Sequence, residues 1–150
     1  MHLAVKAAER AVRSGHGGPF GAVIVRKNKV IANAHNQVLK NKDATCHAEI
    51  QAIRLASKKL KRFNLSDCAI YTSCEPCPMC FSAIYWAKIK TVYYGCTKSD
   101  ADKLGFGDKK IYEILEKNTR NKHLKEKQID REECLKPFKL WKEKKRKVRY

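Results

Sequence analysis

The sequence has 150 residues and a net charge of +18, from 33 Lys and Arg against 15 Asp and Glu. This length predicts one domain, and a hydrophobic content of 43% argues against a disordered chain. No apolar run reaches the roughly 20 residues of a membrane span, and the N-terminus lacks a signal-peptide core, so we expect a cytoplasmic protein without a membrane partner. The charge permits a nucleic-acid partner, but basic residues occur along the whole chain, which favours an ordinary solvated surface.

Hydrophobic periodicity and turn residues predict five helices and four strands within a single domain over residues 1–150. In chain order they are a helix over 2–14, strands over 20–26 and 30–36 joined by a tight turn at 27–29, a helix over 46–60, a strand over 68–72, a helix from Pro78 past Trp86, a strand over 91–95, and helices over 111–116 and about 132–145. An opening hairpin followed by alternating strands and helices predicts an α/β fold. We expect a three-layer α/β/α sandwich around a mixed sheet.

Two of the predicted helices carry an apolar stripe at helical spacing. In the first helix the stripe consists of Leu3, Ala4, Ala7, Ala8, Ala11 and Val12. In the second it consists of Ala48, Ala52, Ile53, Ala56 and Leu60. We expect these stripes to face the sheet.

Seven cysteines, an odd number, favour a metal site or free thiols over disulfides in a reducing compartment. The stretch "YTSCEPCPMC" contains Cys74, Cys77 and Cys80, and "TCHAE" supplies His47 and Glu49. One imidazole with two thiolates provides three zinc ligands, the number that leaves a fourth position open for water in catalytic sites. We expect the remaining cysteines to be small core or surface residues, namely Cys46, Cys68, Cys96 and Cys134.

His47 and Glu49 are two positions apart and would point in different directions in the middle of a helix. Side chains in a first turn lean toward the N-terminus, so we expect both to lie there, with Thr45 or Asp43 as the cap. Pro78 suits the first position of the next helix, with Cys77 just before it and Cys80 one turn later. Two helix N-termini would then favour thiolates and a bound hydroxide.

The spacing H-x-E followed by P-C-x-x-C is typical of zinc-dependent nucleobase deaminases. In such a site zinc lowers the pKa of water from about 15.7 to about 7, and a carboxylate that does not bind the metal carries the proton. Glu49 is the candidate, whereas we expect Glu75 to hydrogen-bond backbone in its turn. Three alternatives remain open: a closed structural zinc site with Cys74 as fourth ligand, a redox pair of Cys77 with Cys80, and a zinc-stabilised basic module that binds nucleic acid.

Longer stretches resemble the bacterial-type guanine deaminases of the cytidine-deaminase superfamily, from about residue 4 to residue 150. They are "GGPFGAVIV", "TCHAEIQAIR", "YTSCEPCPMC", "AIYWAKIKTVYYG", "GFGDKKIY" and "PFKLWKEKKRKVRY". The zinc motifs alone are shared with cytosine, cytidine, riboflavin-pathway and tRNA adenosine deaminases. The stretch "CEPCPMCFSAIYWA", the "GFGD" loop and an aromatic residue at the C-terminus favour guanine deaminase among them.

The resemblance implies a cytidine-deaminase-like fold, one Zn²⁺ per subunit and hydrolysis of guanine to xanthine and ammonia in purine catabolism or salvage. It implies that the metal ligands are His47, Cys77 and Cys80, with Glu49 as proton shuttle. The implied substrate-binding residues are Asn36, the backbone at Ala48, Phe20, Trp86, Asp108 and Tyr150. Asp108 would also assist catalysis at the amino group, although it could instead be a loop cap, and Phe20 and Trp86 could be ordinary core residues.

Two positions depart from the family pattern. Cys46 stands where alanine is usual, which we expect to be tolerated. Gly107 stands where an acidic residue would pair with Asp108, and selectivity for guanine would change if that pair recognises the purine.

The resemblance also implies a homodimer in which a basic C-terminal helix and tail, about residues 132–150, cover the partner's active site, with residues 137–150 exchanged between subunits. Residues 136–150 hold eight Lys and Arg against one Glu. The alternative functions are a tRNA adenosine deaminase, which the charge favours but a closing lid disfavours, and another nucleobase or nucleoside deaminase of the cytosine type. A nucleic-acid partner is therefore possible but not favoured.

Overall fold

The computed structural model describes residues 1–116 and 127–143. The site lies on a four-stranded sheet, whose strands run in the order β2-β1-β3-β4. The strands are β1 (Gly21–Arg26), β2 (Lys29–His35), β3 (Ala69–Cys74) and β4 (Thr91–Cys96). The helices are α1 (His2–Arg13), α2 (Val38–Asn41), α3 (Ala48–Leu60), α4 (Pro78–Trp86), α5 (Lys98–Lys103), α6 (Asp108–Glu116) and α7 (Arg131–Glu143). Among the described residues, no helix is long and apolar enough to cross a membrane.

The sheet is mixed, as predicted. β1 pairs antiparallel with both β2 and β3, and β3 pairs parallel with β4. Lys27 and Asn28 both have positive φ, 47° and 60°, and Arg26 pairs with Lys29 across them. This is the two-residue turn that matches the twist of a hairpin, so the predicted turn at 27–29 is confirmed and closes over two residues.

Alternate residues of β1 face two different helices, because successive side chains of a strand point to opposite faces. Gly21 lies against α1, whereas Ala22 and Ile24 pack in the core with the alanines of α3. The sheet is thus covered on both faces, and the predicted three-layer α/β/α arrangement is confirmed.

The helix stripes are confirmed only in part. Ala4, Ala7, Ala8 and Ala11 are buried, but the prediction that Leu3 and Val12 join them is wrong, since both are exposed. The contact with the sheet is centred on the four alanines, which allow the helix to lie close to Gly21, and the two larger residues fall at the edges of that contact. In α3, Ala48, Ala52 and Ala56 are buried and Ile53 and Leu60 pack against the same core, as predicted.

Gly21 provides a prediction about stability. A Cβ at this position would lie 2.6 Å from the backbone nitrogen of Ala8 and 2.9 Å from the Cβ of Ala7. Because these are atoms of a packed helix, Gly21→Ala is expected to lower the free energy of unfolding by about 1–3 kcal/mol, as overpacking does. Denaturant unfolding would measure the change. Gly107→Ala is the matched control, since a Cβ at Gly107 meets no atom within 4 Å, and equal stability of the two variants would contradict the prediction.

Several predicted helix boundaries need correction. α2 and α5 were not predicted, and α6 begins at Asp108 instead of residue 111. α5 has a complete capping box, in which the Thr97 side chain accepts from the Asp100 backbone and the Asp100 side chain accepts from the Thr97 backbone. The predicted end of the last helix, at residue 145, lies outside the described residues.

Candidate metal centre and active site

The chain places one imidazole and two thiols together at the beginnings of two helices. His47 is the N-cap of α3 and Cys77 the N-cap of α4, with Pro78 at the start of α4 and Cys80 one turn later. The Nδ1 atom of His47 lies 3.6 Å from the Sγ atom of Cys77 and 3.6 Å from that of Cys80. All three candidate ligand atoms lie within 4.8 Å of one another, and both cysteines are buried.

The predicted cap of α3 is wrong. The helix begins at Ala48, not Cys46, and no side chain caps it. The carboxylate of Asp43 accepts hydrogen bonds from the backbone and hydroxyl of Thr45 and from the thiol of Cys46, so it stabilises the turn before the helix instead. His47 consequently sits at the helix end with extended backbone, while Glu49 lies in the first turn.

The spacing of the three ligand atoms fits zinc. Zinc–nitrogen and zinc–sulfur bonds of about 2.0–2.1 Å and 2.3 Å at a tetrahedral angle place the two donor atoms about 3.5–3.6 Å apart. The observed 3.6 Å separations match this value. Cys74 is not part of the cluster, and its thiol donates to the backbone oxygen of Thr97 at 3.5 Å. The described residues therefore offer three ligands, which argues against the closed site with Cys74.

The Cys77 and Cys80 thiols change each other's pKa. A hydrogen bond from the Cys80 thiol, with help from His47, lowers the pKa of Cys77 to about 4 despite its burial. The same hydrogen bond, burial and the charges of Glu49 and Cys77 raise the pKa of Cys80. Cys77 is thus the thiol that more readily becomes a thiolate, and a bound dication would favour the thiolate form of both, because a metal ligand must be a thiolate.

Glu49 is a buried carboxyl group beside the ligands and outside the cluster. Its residue is 6% exposed, and burial is the main cause that raises its pKa to about 7. A carboxyl group whose pKa lies near neutrality can both accept and return a proton at physiological pH. Glu49 therefore has the position and the acidity of a proton carrier.

A cavity of about 500 Å³ lies above these residues. Its lining comes from loops and element ends far apart in sequence: Gly17, Gly18, Phe20, Asn36, Val38, Leu39, Ala44, His47, Glu49, Glu75, Cys77 and Phe106. The rings of Phe20 and Phe106 meet edge to face, with centroids 4.8 Å apart. A mostly apolar cavity with a few polar groups at one end suits a small planar ligand.

Asn36 is held rigidly at the cavity wall. Its Oδ1 accepts the backbone N–H of Val38 at 3.1 Å, and its own backbone N–H donates to Phe20 at 2.9 Å. A side chain at position 17 would collide with Oδ1, so Gly17 leaves the space in which the Asn36 amide lies. Because a backbone donor engages Oδ1, the amide nitrogen is the part of Asn36 available to a ligand.

The structure brings Phe20, Asn36, His47, Glu49 and Cys77 to one cavity, with Ala48 and Cys80 buried at the starts of the two helices.

Within the single chain Trp86 does not line this cavity, so its predicted role as a wall of the base pocket stays a prediction. Trp86 is 56% exposed and lines a separate hollow with Ile53 and Phe63. It lies six residues after Cys80, which is about 240° around the helix, so it faces another side of α4.

The structure does not describe the side chains of two predicted site residues, Asp108 and Tyr150. Asp108 begins α6, but its side chain is not among those described, and Tyr150 lies outside the described residues.

Sequence reasoning missed part of the lining. The missed residues are Gly17, Gly18, Val38, Leu39, Ala44 and Phe106. The glycine run before β1 and the "GFGD" loop were visible signals for three of them. Glu75 accepts a backbone N–H as predicted, but the donor is Lys98, at 3.0 Å, and not a residue of its own turn. Glu75 also lines the cavity.

Known proteins share this arrangement. The family described as the cytidine and deoxycytidylate deaminase zinc-binding region matches residues 1–96, which include the ligand cluster and Glu49. The chain belongs to this family. It is a zinc-dependent hydrolytic deaminase, so neither the redox pair nor the non-enzymatic module describes it.

Two relatives and one crystal structure illustrate the range within the deaminases. Guanine deaminase from Bacillus subtilis (strain 168) is 45% identical over 94% of this chain and 90% of its own length. The crystal structure of guanine deaminase from Bacillus subtilis has a TM-score of 0.93 and 44% identity, covering 99% of this chain and 95% of that one. A tRNA-specific adenosine deaminase from Buchnera aphidicola subsp. Schizaphis graminum is 38% identical over 91% of this chain and 87% of its own. The predicted resemblance is confirmed.

Proposed function

We propose that this deaminase converts guanine to xanthine and ammonia in purine catabolism or salvage. The likeness to Bacillus subtilis guanine deaminase, which extends over nearly the full length of both chains, carries the proposal. It includes the region after residue 96, which lies beyond the matched zinc-binding family. That region contributes Phe106 to the cavity.

His47, Cys77 and Cys80 would hold one zinc ion per subunit. Zinc in such a site supplies a water molecule with a pKa near 7 as the nucleophile. Glu49 would accept one proton from the attacking water as its oxygen adds to carbon 2 of guanine, and would deliver that proton to the adjacent ring nitrogen. It would then accept the proton of the new hydroxyl group on carbon 2 and deliver it to the departing amino nitrogen. Ammonia leaves as the carbonyl of xanthine forms, so Glu49 ends as it began.

The remaining residues would orient the base. The Asn36 amide nitrogen would donate to an acceptor on the purine edge, and the backbone N–H of Ala48, at the start of α3, would contact the ring. Phe20 would pack against the ring, supported by Phe106. We assign to Asp108 a contact with the substrate amino group, and to Tyr150 closure of the pocket.

Ammonia release from guanine, cytosine, adenine and an anticodon-loop RNA, each with the zinc-loaded protein, tests the assignment. We expect rapid release from guanine alone. Adenosine deamination in tRNA is the second candidate, favoured by the net charge of +18 and the Buchnera relative. Release from the RNA without release from guanine would replace our proposal with that function, and release from cytosine alone would indicate a cytosine-type deaminase.

We further propose a cytoplasmic homodimer in which the C-terminal segment covers the partner's site. Phe138 of α7 is 72% exposed within the single chain, and Phe81 and Tyr85 of α4 are also exposed. Apolar surfaces of this kind on both elements suit burial against a second copy of the chain. No disulfide joins any of the seven cysteines, all of which lie in the described part of the chain, and this suits a reducing compartment.

Removing residues 136–150 is expected to abolish guanine turnover while one zinc per chain stays bound, because the ligands lie between residues 47 and 80. Mixing this truncated chain with the full-length Glu49→Gln variant distinguishes two arrangements of the C-terminal segment. The segment either crosses to the partner subunit or folds back over the site of its own subunit. If the segment is exchanged, the mixture regains activity, since the intact site of the truncated chain receives the other chain's lid. Unchanged activity of the truncated protein would refute the lid, and an inactive mixture that forms heterodimers would refute the exchange.

A further inference from the structure

Two histidines that take no part in the proposed chemistry contact each other behind the cavity wall. The Nδ1 atom of His16 and the Nε2 atom of His35 are 2.8 Å apart, and the rings stack with centroids 5.1 Å apart. His35 is 7% exposed. The two residues come from different segments, so the contact joins parts of the chain that are remote in sequence.

Each histidine is next to a residue that forms the cavity wall. His35 ends β2 and directly precedes Asn36, while His16 directly precedes Gly17, whose lack of a side chain makes room for the Asn36 amide. The carbonyl oxygen of His16 accepts the backbone N–H groups of Leu39 and Lys40, at 3.0 and 3.1 Å. Leu39 is itself part of the cavity wall.

The pair leaves a polar atom unsatisfied. Nδ1 of His35 is buried and has no hydrogen-bond partner among the described residues. Whichever tautomer the pair adopts, the single shared proton satisfies Nε2 and leaves Nδ1 without a partner. Burying such an atom is unfavourable, so the geometry that requires it must be imposed by the surroundings.

We propose that His16 and His35 are positioning residues for substrate binding. Through their mutual hydrogen bond they hold Asn36 and two other residues of the cavity wall, Gly17 and Leu39. This inference rests on the proposed function for its substrate, a purine base that Asn36 contacts. The pair acts through Asn36 and touches neither the ligand cluster nor the reacting atoms.

The charges around His35 give the pair a pH dependence. Arg10 of α1, His16 of the intervening loop and Lys40 of α2 face it, and burial together with these groups lowers the pKa of His35 below its ordinary 6.5. His35 is therefore neutral at pH 7. Below about pH 6.5 an unfolded chain takes up a proton that folded His35 resists, so the stability that this group contributes falls as the pH falls.

Substitutions that keep or misplace one nitrogen test the hydrogen bond. Asn places an amide nitrogen near the Nδ1 position of His, and Gln places one near the Nε2 position. His16→Asn and His35→Gln therefore keep the contact, whereas His16→Gln and His35→Asn misplace it with polar groups of similar size. All four are tested as zinc-loaded proteins.

Misplacing the nitrogen is expected to raise the KM for guanine about fivefold, the equivalent of one net hydrogen bond, with kcat within about threefold of wild type. The two nitrogen-preserving variants should stay within about twofold of the wild-type KM. Equal KM values for His16→Asn and His16→Gln would overturn the inference, as would a loss confined to kcat.

Amide hydrogen exchange separates this inference from the proposed function, because it requires no substrate. Exchange at Leu39 and Lys40, whose N–H groups bind the His16 carbonyl, is expected to be faster in His16→Gln than in wild type and unchanged in His16→Asn. Equal exchange in all three proteins would overturn the positioning role even if guanine is the substrate. If guanine is not turned over, faster exchange in His16→Gln alone would still support the pair.

Discussion

Glu49→Gln is expected to lower kcat for guanine by about 10²–10⁴-fold, the usual contribution of a positioned proton carrier. Glutamine keeps the size of the buried side chain but cannot accept and return a proton. Because Glu49 is not one of the three clustered ligands, zinc content and folding should be unchanged. Ammonia release and metal analysis of the same preparation would measure both.

Glu75→Gln is the comparison for this experiment, since among the described side chains Glu75 is the second carboxylate that lines the cavity. The Gln oxygen can still accept the N–H of Lys98, so we expect a much smaller loss. A larger loss in Glu75→Gln than in Glu49→Gln would transfer the proton-carrying role to Glu75. Loss of zinc from Glu49→Gln would show instead that this carboxylate is a ligand.

Cys80→Ser is expected to remove zinc and, with it, all detectable deamination. Cys80 is fully buried between His47 and Cys77, and a serine hydroxyl is a far weaker zinc ligand than a thiolate. Metal binding also contributes to folding, so the melting temperature should fall. Metal analysis and thermal unfolding would report the two effects.

Cys74→Ser is the matched control for this substitution. Cys74 is also buried, but its Sγ lies outside the cluster and donates to the Thr97 carbonyl, a bond that a hydroxyl can keep. Zinc content should therefore be unchanged. A four-ligand site would be indicated if Cys74→Ser lost zinc as completely as Cys80→Ser.

The strands and the ligand cluster could be predicted from sequence because their signals are local. Runs of β-branched residues between turn residues mark β1 and β2, and the short spacing of Cys77 and Cys80 restricts how they can be arranged. The metal site also required His47, which lies thirty residues before Cys77 in the sequence. It could still be identified because few histidines of this chain have a glutamate beside them. The ability of its side chain to bind zinc identified His47, whereas the hydrophobic periodicity of the helix did not.

The errors arose where several local signals compete or where contacts are remote. Asp43 has the character of a helix cap, but here it stabilises the preceding turn, which shifted the predicted start of α3. The capping box at Thr97 and Asp100 was readable and was overlooked. Phe106 and Leu39 reach the cavity only through tertiary packing, which sequence periodicity does not report.

The pairing of β3 with β1 also brings the metal ligands together from separate parts of the chain. His47 is attached to the early hairpin, whereas both cysteines follow β3, so their convergence depends on a non-local strand pairing. Closing such a loop is entropically unfavourable, and two isolated thiols hold zinc less well than the complete set. A ribosome-bound chain that ends before β3 would thus carry no competent site, and metal capture would follow sheet assembly as a late step of biogenesis.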